Sequence, residues 1–314
     1  MKIGILSFVL LCLCISPAFA QQRLITCTSE RNPDNSIIIV ADSRAFGDYT
    51  IKMIFTSLTD YTTSEILTAN ALITTVRQGR KEIIKLKNRL SSASPFQYHF
   101  EYFPGKALRK MPDTSFLYLL PAAANKTVRI SKVSSVAERL GQNRENDYSG
   151  TGFVYKLGDT ICAARAGLVY ACNDDILEGE KTDDFYKSER NKIRIQHNDG
   201  SLSSYDILAP IQLLVSPGEN IYPGKPLAIF NKQSEKYTVL FATYYLDENK
   251  LTTEKNAEEK STPSNYVYLP TRFYTGGDIV SDQLKVNNTY LVQHSKNIIT
   301  AELSKKEKKK LGLD

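Results

Sequence analysis

The sequence predicts a mainly β protein of roughly two domains behind an export signal. Three features carry that prediction. Short β-branched and aromatic runs recur along the chain, turn residues separate them, and apolar and polar residues alternate within the clearest of them. The chain has 314 residues, which on length alone suits about two domains. Its net charge of +6 comes from 40 Lys and Arg against 34 Asp and Glu, well mixed. That mixing fits an ordinary surface and argues against a nucleic-acid binder.

The first twenty residues read as a signal peptide. Lys2 supplies a positive start, Ile3 to Cys14 is a short apolar run, and Pro17-Ala18-Phe19-Ala20 ends in the small-residue pattern of a cleavage site. The expected cut follows Ala20 and leaves Gln21 first. The apolar run is too short to span a bilayer as a helix, and no later run is long enough, so no membrane span is expected in the mature protein. The exported chain would then lie in the periplasm or outside the cell.

Residues 21–130 read as an N-terminal β-sandwich-like domain. Ser36 to Val40 is an apolar strand. Tyr49 to Phe55 alternates, with Thr50, Lys52 and Ile54 facing away from Tyr49, Ile51, Met53 and Phe55. Within Ala71 to Leu90, Gly79 and the β-branched Ile73-Thr74-Thr75-Val76 favour a hairpin over one helix. Phe96 to Tyr102 is an aromatic strand ended by Pro104-Gly105, and Phe116 to Leu120 is another ended by Pro121. Residues 131–147 are polar and form a linker, with one helical turn expected near Val136 to Leu140. Residues 148–246 form a second β region. Residues 247–314 hold a charged loop, a few strands and a basic, helix-forming tail that contains Lys305-Lys306-Glu307-Lys308-Lys309-Lys310.

The second β region contains an ordered set of motifs. Gly158-Asp159-Thr160-Ile161 leads through Ala163-Ala164 to Gly167-Leu168-Val169. Ile193-Arg194-Ile195-Gln196-His197-Asn198-Asp199-Gly200 and Tyr205-Asp206-Ile207-Leu208 follow. Then come the paired turns of Gly218 and Gly224 beside Val215, Ile221 and Leu227, and finally Val239-Leu240-Phe241. Glycines at such offsets permit tight turns between short strands, as in any compact β-barrel or barrel-sandwich domain. In order and spacing the set resembles the lysostaphin-type, LytM-like zinc metalloendopeptidase family, whose fold is the duplicated hybrid motif. The tail from Asn297 to Glu307 resembles the ends of exported peptidase-like proteins of the Bacteroidota.

The resemblance implies a zinc held by a His and an Asp of one motif and by the second His of an H-x-H, with further histidines acting on the water. Carried over residue by residue, those positions fall on Tyr148, Gly152, Ile207, Thr238 and Leu240. None can take the family's role, and only His197 lies in the whole region. His197 matches a strand histidine that is not a ligand, so a hydrogen-bonded strand residue near a turn is expected there. The resemblance therefore implies a pseudoenzyme without zinc. It would bind peptidoglycan peptide or an envelope protein, as a possible regulator of cell-wall hydrolases. Two alternatives stand beside it. One is an active metallopeptidase with an atypical metal site. The other is a carbohydrate- or wall-binding module using Phe96, Tyr98, Phe100 and Tyr102, although their alternation places them more simply in a core.

Three cysteines follow the signal. Cys162 and Cys172 flank a predicted hairpin turning near Arg165 to Gly167 and are expected to bridge across it; Cys27 is the odd one out. Asp174, Asp175, Glu178, Glu180, Asp183 and Asp184 lack a calcium-loop order and read as a solvated insertion.

Overall fold

The computed structural model describes residues 23–89, 95–133, 149–174, 190–234, 237–252, 264–276, 280–281 and 284–313. The signal peptide, Tyr148, most of the linker with its helical turn, and the acidic insertion beyond Asp174 lie outside these residues.

The first seven strands form two facing sheets. They are β1 (Ile25–Arg31), β2 (Ile37–Ser43), β3 (Tyr49–Phe55), β4 (Tyr61–Thr63), β5 (Ala71–Val76), β6 (Gly79–Asn88) and β7 (Tyr98–Pro104). One sheet runs β1-β2-β6-β4 and the other β5-β3-β7. Alternation explains the core between them. Tyr49, Ile51, Met53 and Phe55 point inward from β3 against Ile37, Ile39 and Ala41 of β2 and Ile84 and Leu86 of β6. Phe96, Tyr98, Phe100 and Tyr102 pack on this core, while His99 and Glu101 face outward. The aromatics that could have formed a sugar platform are thus engaged in the sandwich. The hairpin expected over Ala71 to Leu90 does not form. Both halves are strands, but β5 pairs β3 and β6 pairs β2 and β4, so the two lie in opposite layers.

The remaining strands are β8 (Ala107–Leu108), β9 (Leu117–Leu119), β10 (Thr127–Ser131), β11 (Thr151–Val154), β12 (Thr160–Cys162), β13 (Gly167–Asn173), β14 (Asn191–Gln196), β15 (Leu202–Ile207), β16 (Gln212–Leu213), β17 (Asn220–Ile221), β18 (Pro226–Ile229), β19 (Thr238–Asp247), β20 (Tyr266–Leu269), β21 (Arg272–Tyr274), β22 (Val280–Ser281) and β23 (Thr289–Leu291). A large sheet runs β17-β13-β14-β15-β19-β11-β10-β23, with β20 and β8 also paired to β19. Two small sheets, β12-β18-β16 and β22-β21-β9, complete the unit. The architecture is mainly β, and among the described residues the sheets do not close into a barrel. Three short helices are described: α1 (Glu248–Thr252), α2 (Lys296–Thr300) and α3 (Lys305–Lys310). None is long and apolar enough to cross a membrane.

Strands β8, β9 and β10 lie in this second unit rather than with the N-terminal sandwich. Their Tyr118, Val128 and Ile130 join a core built from Phe153, Ile193, Ile195, Tyr205, Val239 and Phe241. The tail contributes too, because Phe273 of β21 and Val292 lie in the same core. Five rings meet there in four edge-on pairs: Phe153–Phe273 at 5.4 Å, Phe241–Phe273 at 5.7 Å, Tyr205–Phe241 at 4.9 Å and Tyr118–Phe241 at 6.1 Å between centroids. Edge-on pairs satisfy the ring quadrupoles, and truncating any one Phe to Ala should cost about 3–5 kcal/mol.

Candidate functional site

Cross-strand register decides which sequence-predicted positions meet. Gly152 on β11 faces Leu240 on β19, and Thr238 lies on the same face of β19 two residues earlier. Ile207 on β15 pairs with Val239, so its side chain lies on the opposite face, fully buried in the core. The structure thus brings Gly152 and Leu240 together and separates Ile207 from both. The Ile207 face presents Val239, Phe241 and Phe153, none with a donor atom for a metal. The Gly152 position is also closed: a Cβ there would lie 2.1 Å from Ser131 Oγ. Among the described residues no group of three His, Cys, Asp or Glu side chains could hold a metal ion.

The turn glycines have specific roles. Gly158, Gly218 and Gly224 adopt φ of 85°, 91° and 85°, the left-handed region where a side chain is strained. Gly167 is needed for a close approach, because a Cβ there would lie 2.3 Å from the Gln196 carbonyl oxygen.

Cys27, Cys162 and Cys172 are free thiols. The expected bridge fails because the expected hairpin does not exist. Cys162 on β12 pairs into the small sheet opposite Pro226, whereas Cys172 on β13 pairs into the large sheet opposite Ile193. Burial pushes the Cys162 thiol up to about 12 and the Cys27 thiol up to about 11, with the Asp42 charge adding to the latter.

The densest polar constellation centres on Arg165, which sequence reasoning treated only as part of a turn. Its side chain is 4% exposed. Nε donates to Glu302 Oε2 at 2.9 Å and Nη2 to Glu302 Oε1 at 2.6 Å. Nη1 donates to Asp199 Oδ2 at 2.9 Å, Tyr118 OH at 2.9 Å and Ser201 Oγ at 3.3 Å. The guanidinium also stacks 4.0 Å over the Phe116 ring. Burial alone would lower its pKa; the Glu302 hydrogen bonds and the nearby Tyr118, Asp199 and Glu302 outweigh that and raise it. The only hint in the sequence was one charge inside a run of small residues, Cys162 to Gly167. Glu302, 137 positions away, gave none.

His197 sits beside this cluster, and its ring packs edge-on against Tyr118 at 6.0 Å. One ring nitrogen, Nδ1, is 2.6 Å from the Ala166 carbonyl, which can only accept, so Nδ1 carries the proton. Nε2 then accepts from Ser203 Oγ at 2.6 Å. Burial, reinforced by the Arg165 charge, lowers its pKa to about 3. His197 is therefore a neutral, fully bonded residue beside the Asn198 to Gly200 turn, as expected, but it lies one position past the end of β14 rather than within a strand.

Beside Gly167 and His197, a groove of about 480 Å3 opens where the sandwich, the large sheet and the tail meet. Asp48 and Arg77 line one wall and are ion-paired; Asn198, Asn220, Glu302 and Glu307 line others. Gln196 ties the wall together, accepting from Asp48 N at 2.7 Å and donating to Asp48 O at 2.8 Å. The lining is polar and holds no paired acid and base aimed at a common point.

No protein-family model matches the chain, and no curated protein matches it. Among solved structures it is similar to Helicobacter pylori Csd3, at 12% identity over 75% of this chain and 77% of that one, with a TM-score of 0.28. A structure described as a candidate M23 peptidase from Pseudomonas aeruginosa is 13% identical over 70% of this chain and 87% of that one, with a TM-score of 0.27. A zinc-containing peptidase from Vibrio cholerae is 11% identical over 70% and 75%, with a TM-score of 0.24. At such scores the functional reading rests on this chain's own residues.

Proposed function

We propose that this chain is an exported envelope protein with a degenerate LytM-like domain, which binds peptidoglycan peptide or a protein partner without cleaving it. The observation that carries the reading is the Gly152–Leu240 pair, with Ile207 turned into the core. Where the resembled family needs carboxylate and imidazole donors, Gly152, Ile207 and Leu240 offer hydrogen and hydrocarbon; the Asp206 carboxylate opposite Leu240 is ion-paired to Arg194, and Ser131 fills the space a carboxylate stem at Gly152 would need. A catalytic zinc requires three protein ligands and an open position, and among the described residues neither face of β19 supplies them. The polar groove beside Gly167 offers the binding surface. Its amides and charges suit the amide- and carboxylate-rich peptides of peptidoglycan. Co-sedimentation of the chain from Gln21 onward with purified peptidoglycan tests the binding. Retention that is lost on substituting Asn198 and Asn220 by Ala supports this reading. Absence of retention rules out the peptidoglycan ligand and leaves the protein partner, and release of soluble peptide fragments contradicts binding without cleavage.

A further inference from the structure

We infer that the C-terminal helix α3 is a docking surface for a bilayer carrying anionic phospholipid headgroups. Residues 305–310 hold five lysines against one glutamate, a net +4, where the whole chain carries +6. Most of the molecule's excess positive charge therefore sits in under two turns of helix. At about 100° per residue, Lys305, Lys309, Lys306 and Lys310 fall within an arc of about 140°. These four are the exposed lysines of the helix, whereas Lys308 is half-buried on the other side. Glu307 also lies off the basic arc, and its charge is engaged: its carboxylate accepts from Ser304 N at 2.8 Å and from Ser304 Oγ in a capping box. Among the described residues, none of the four lysines has an ion-pair partner.

The helix is not a loose tail. The cap fixes its start, Leu303 and Glu307 line the groove, and Glu302, three residues before the first lysine, is clamped in both oxygens by Arg165. The basic arc is thus held in a fixed orientation facing away from the body. Such a face matches a flat array of phosphates better than a point ligand. Each lysine within a Debye length of an anionic bilayer adds attraction. Leu311 and Leu313, both half-exposed, follow the helix and can rest on the headgroup layer. This inference does not depend on what the groove binds.

The test is vesicle sedimentation with the chain from Gln21 onward, so that the apolar run at its start cannot itself insert. Binding is expected to vesicles of phosphatidylglycerol mixed with phosphatidylcholine, and not to phosphatidylcholine alone. It should weaken steeply as salt rises from about 0.05 M to about 0.5 M. At about fivefold per lysine, replacing Lys305, Lys306, Lys309 and Lys310 together by Gln should weaken it by roughly several hundredfold. Replacement by Arg should preserve it. Millimolar inorganic phosphate should not compete, because a free anion lacks the array. Equal binding to neutral vesicles, no binding to either, an unaffected Gln variant, or displacement by inorganic phosphate would each overturn the inference.

Discussion

Glu302→Ala tests whether the tail is held by the buried Arg165 or merely lies beside it. The substitution removes two charge-assisted hydrogen bonds, at 2.6 and 2.9 Å, between side chains only 4% and 16% exposed. Bonds of this kind contribute about 1.5–3 kcal/mol each. The guanidinium is not left bare, because Asp199, Tyr118 and Ser201 still accept from Nη1. The expected loss is therefore below the sum, about 2–4 kcal/mol. Arg165→Met strands both carboxylates and removes the stack on Phe116, so its expected loss is larger, about 3–5 kcal/mol. The double variant should recover part of the difference, with a coupling energy of about 2–3 kcal/mol. Chemical denaturation measures the cycle. Amide hydrogen exchange over residues 296–303 reports whether the tail opens first once the clamp is lost and only its apolar contacts, such as the buried Ile298, still hold it. A coupling below about 0.5 kcal/mol, the level at which unrelated sites simply add, with unchanged exchange in the tail, would refute the reasoning.

Three further outcomes follow from the same structure. His197 takes up a proton near its ordinary 6.5 in the unfolded chain but only near about 3 in the folded one. Stability present above pH 6.5 should therefore fall as pH drops toward 3, by about 1.4 kcal/mol per pH unit. His197→Gln should flatten the slope between pH 6 and 4, and equal slopes in the two proteins would count against a buried neutral imidazole. Gly152→Asp places a carboxylate where the proposed reading puts the family's aspartate, but its Cβ meets Ser131 Oγ and Val133 Cγ2. It should lower stability by about 1–3 kcal/mol with no zinc-dependent rise in melting temperature; such a rise would show an open site. Peptide mapping without reductant should find Cys27, Cys162 and Cys172 as separate thiols, with Cys162 the slowest to alkylate before unfolding; a linked Cys162–Cys172 peptide would contradict the strand pairing.

The sequence shows where strands are far better than it shows which strands pair. Alternation in Tyr49 to Phe55 placed the inward residues of β3 correctly, because burial of one face depends on a local period of two. Gly79 and the β-branched run before it correctly marked two strands. Yet β5 and β6 enter different layers, since their partners β3 and β2 compete successfully for them. The disulfide expectation failed for the same reason, as it assumed that neighbouring strands form a hairpin. Of the expected site, the lack of a donor atom at Gly152, Ile207 and Leu240 was legible from residue type alone. That Ile207 lies on the far face from Leu240 was not legible, because it depends on the β15–β19 register. The Arg165–Glu302 clamp joins residues brought together only by the complete fold.

The most direct test of the central claim, a peptidase-like domain without peptidase chemistry, is metal analysis of the chain purified without chelators, paired with a cleavage assay on peptidoglycan and glycine-rich peptides. Without a metal, bound water keeps its bulk acidity and no strong nucleophile forms at neutral pH. The account predicts no stoichiometric zinc and no cleavage. One tightly held zinc per chain, with cleavage abolished by a chelator, would contradict it and establish an active metallopeptidase with an atypical site.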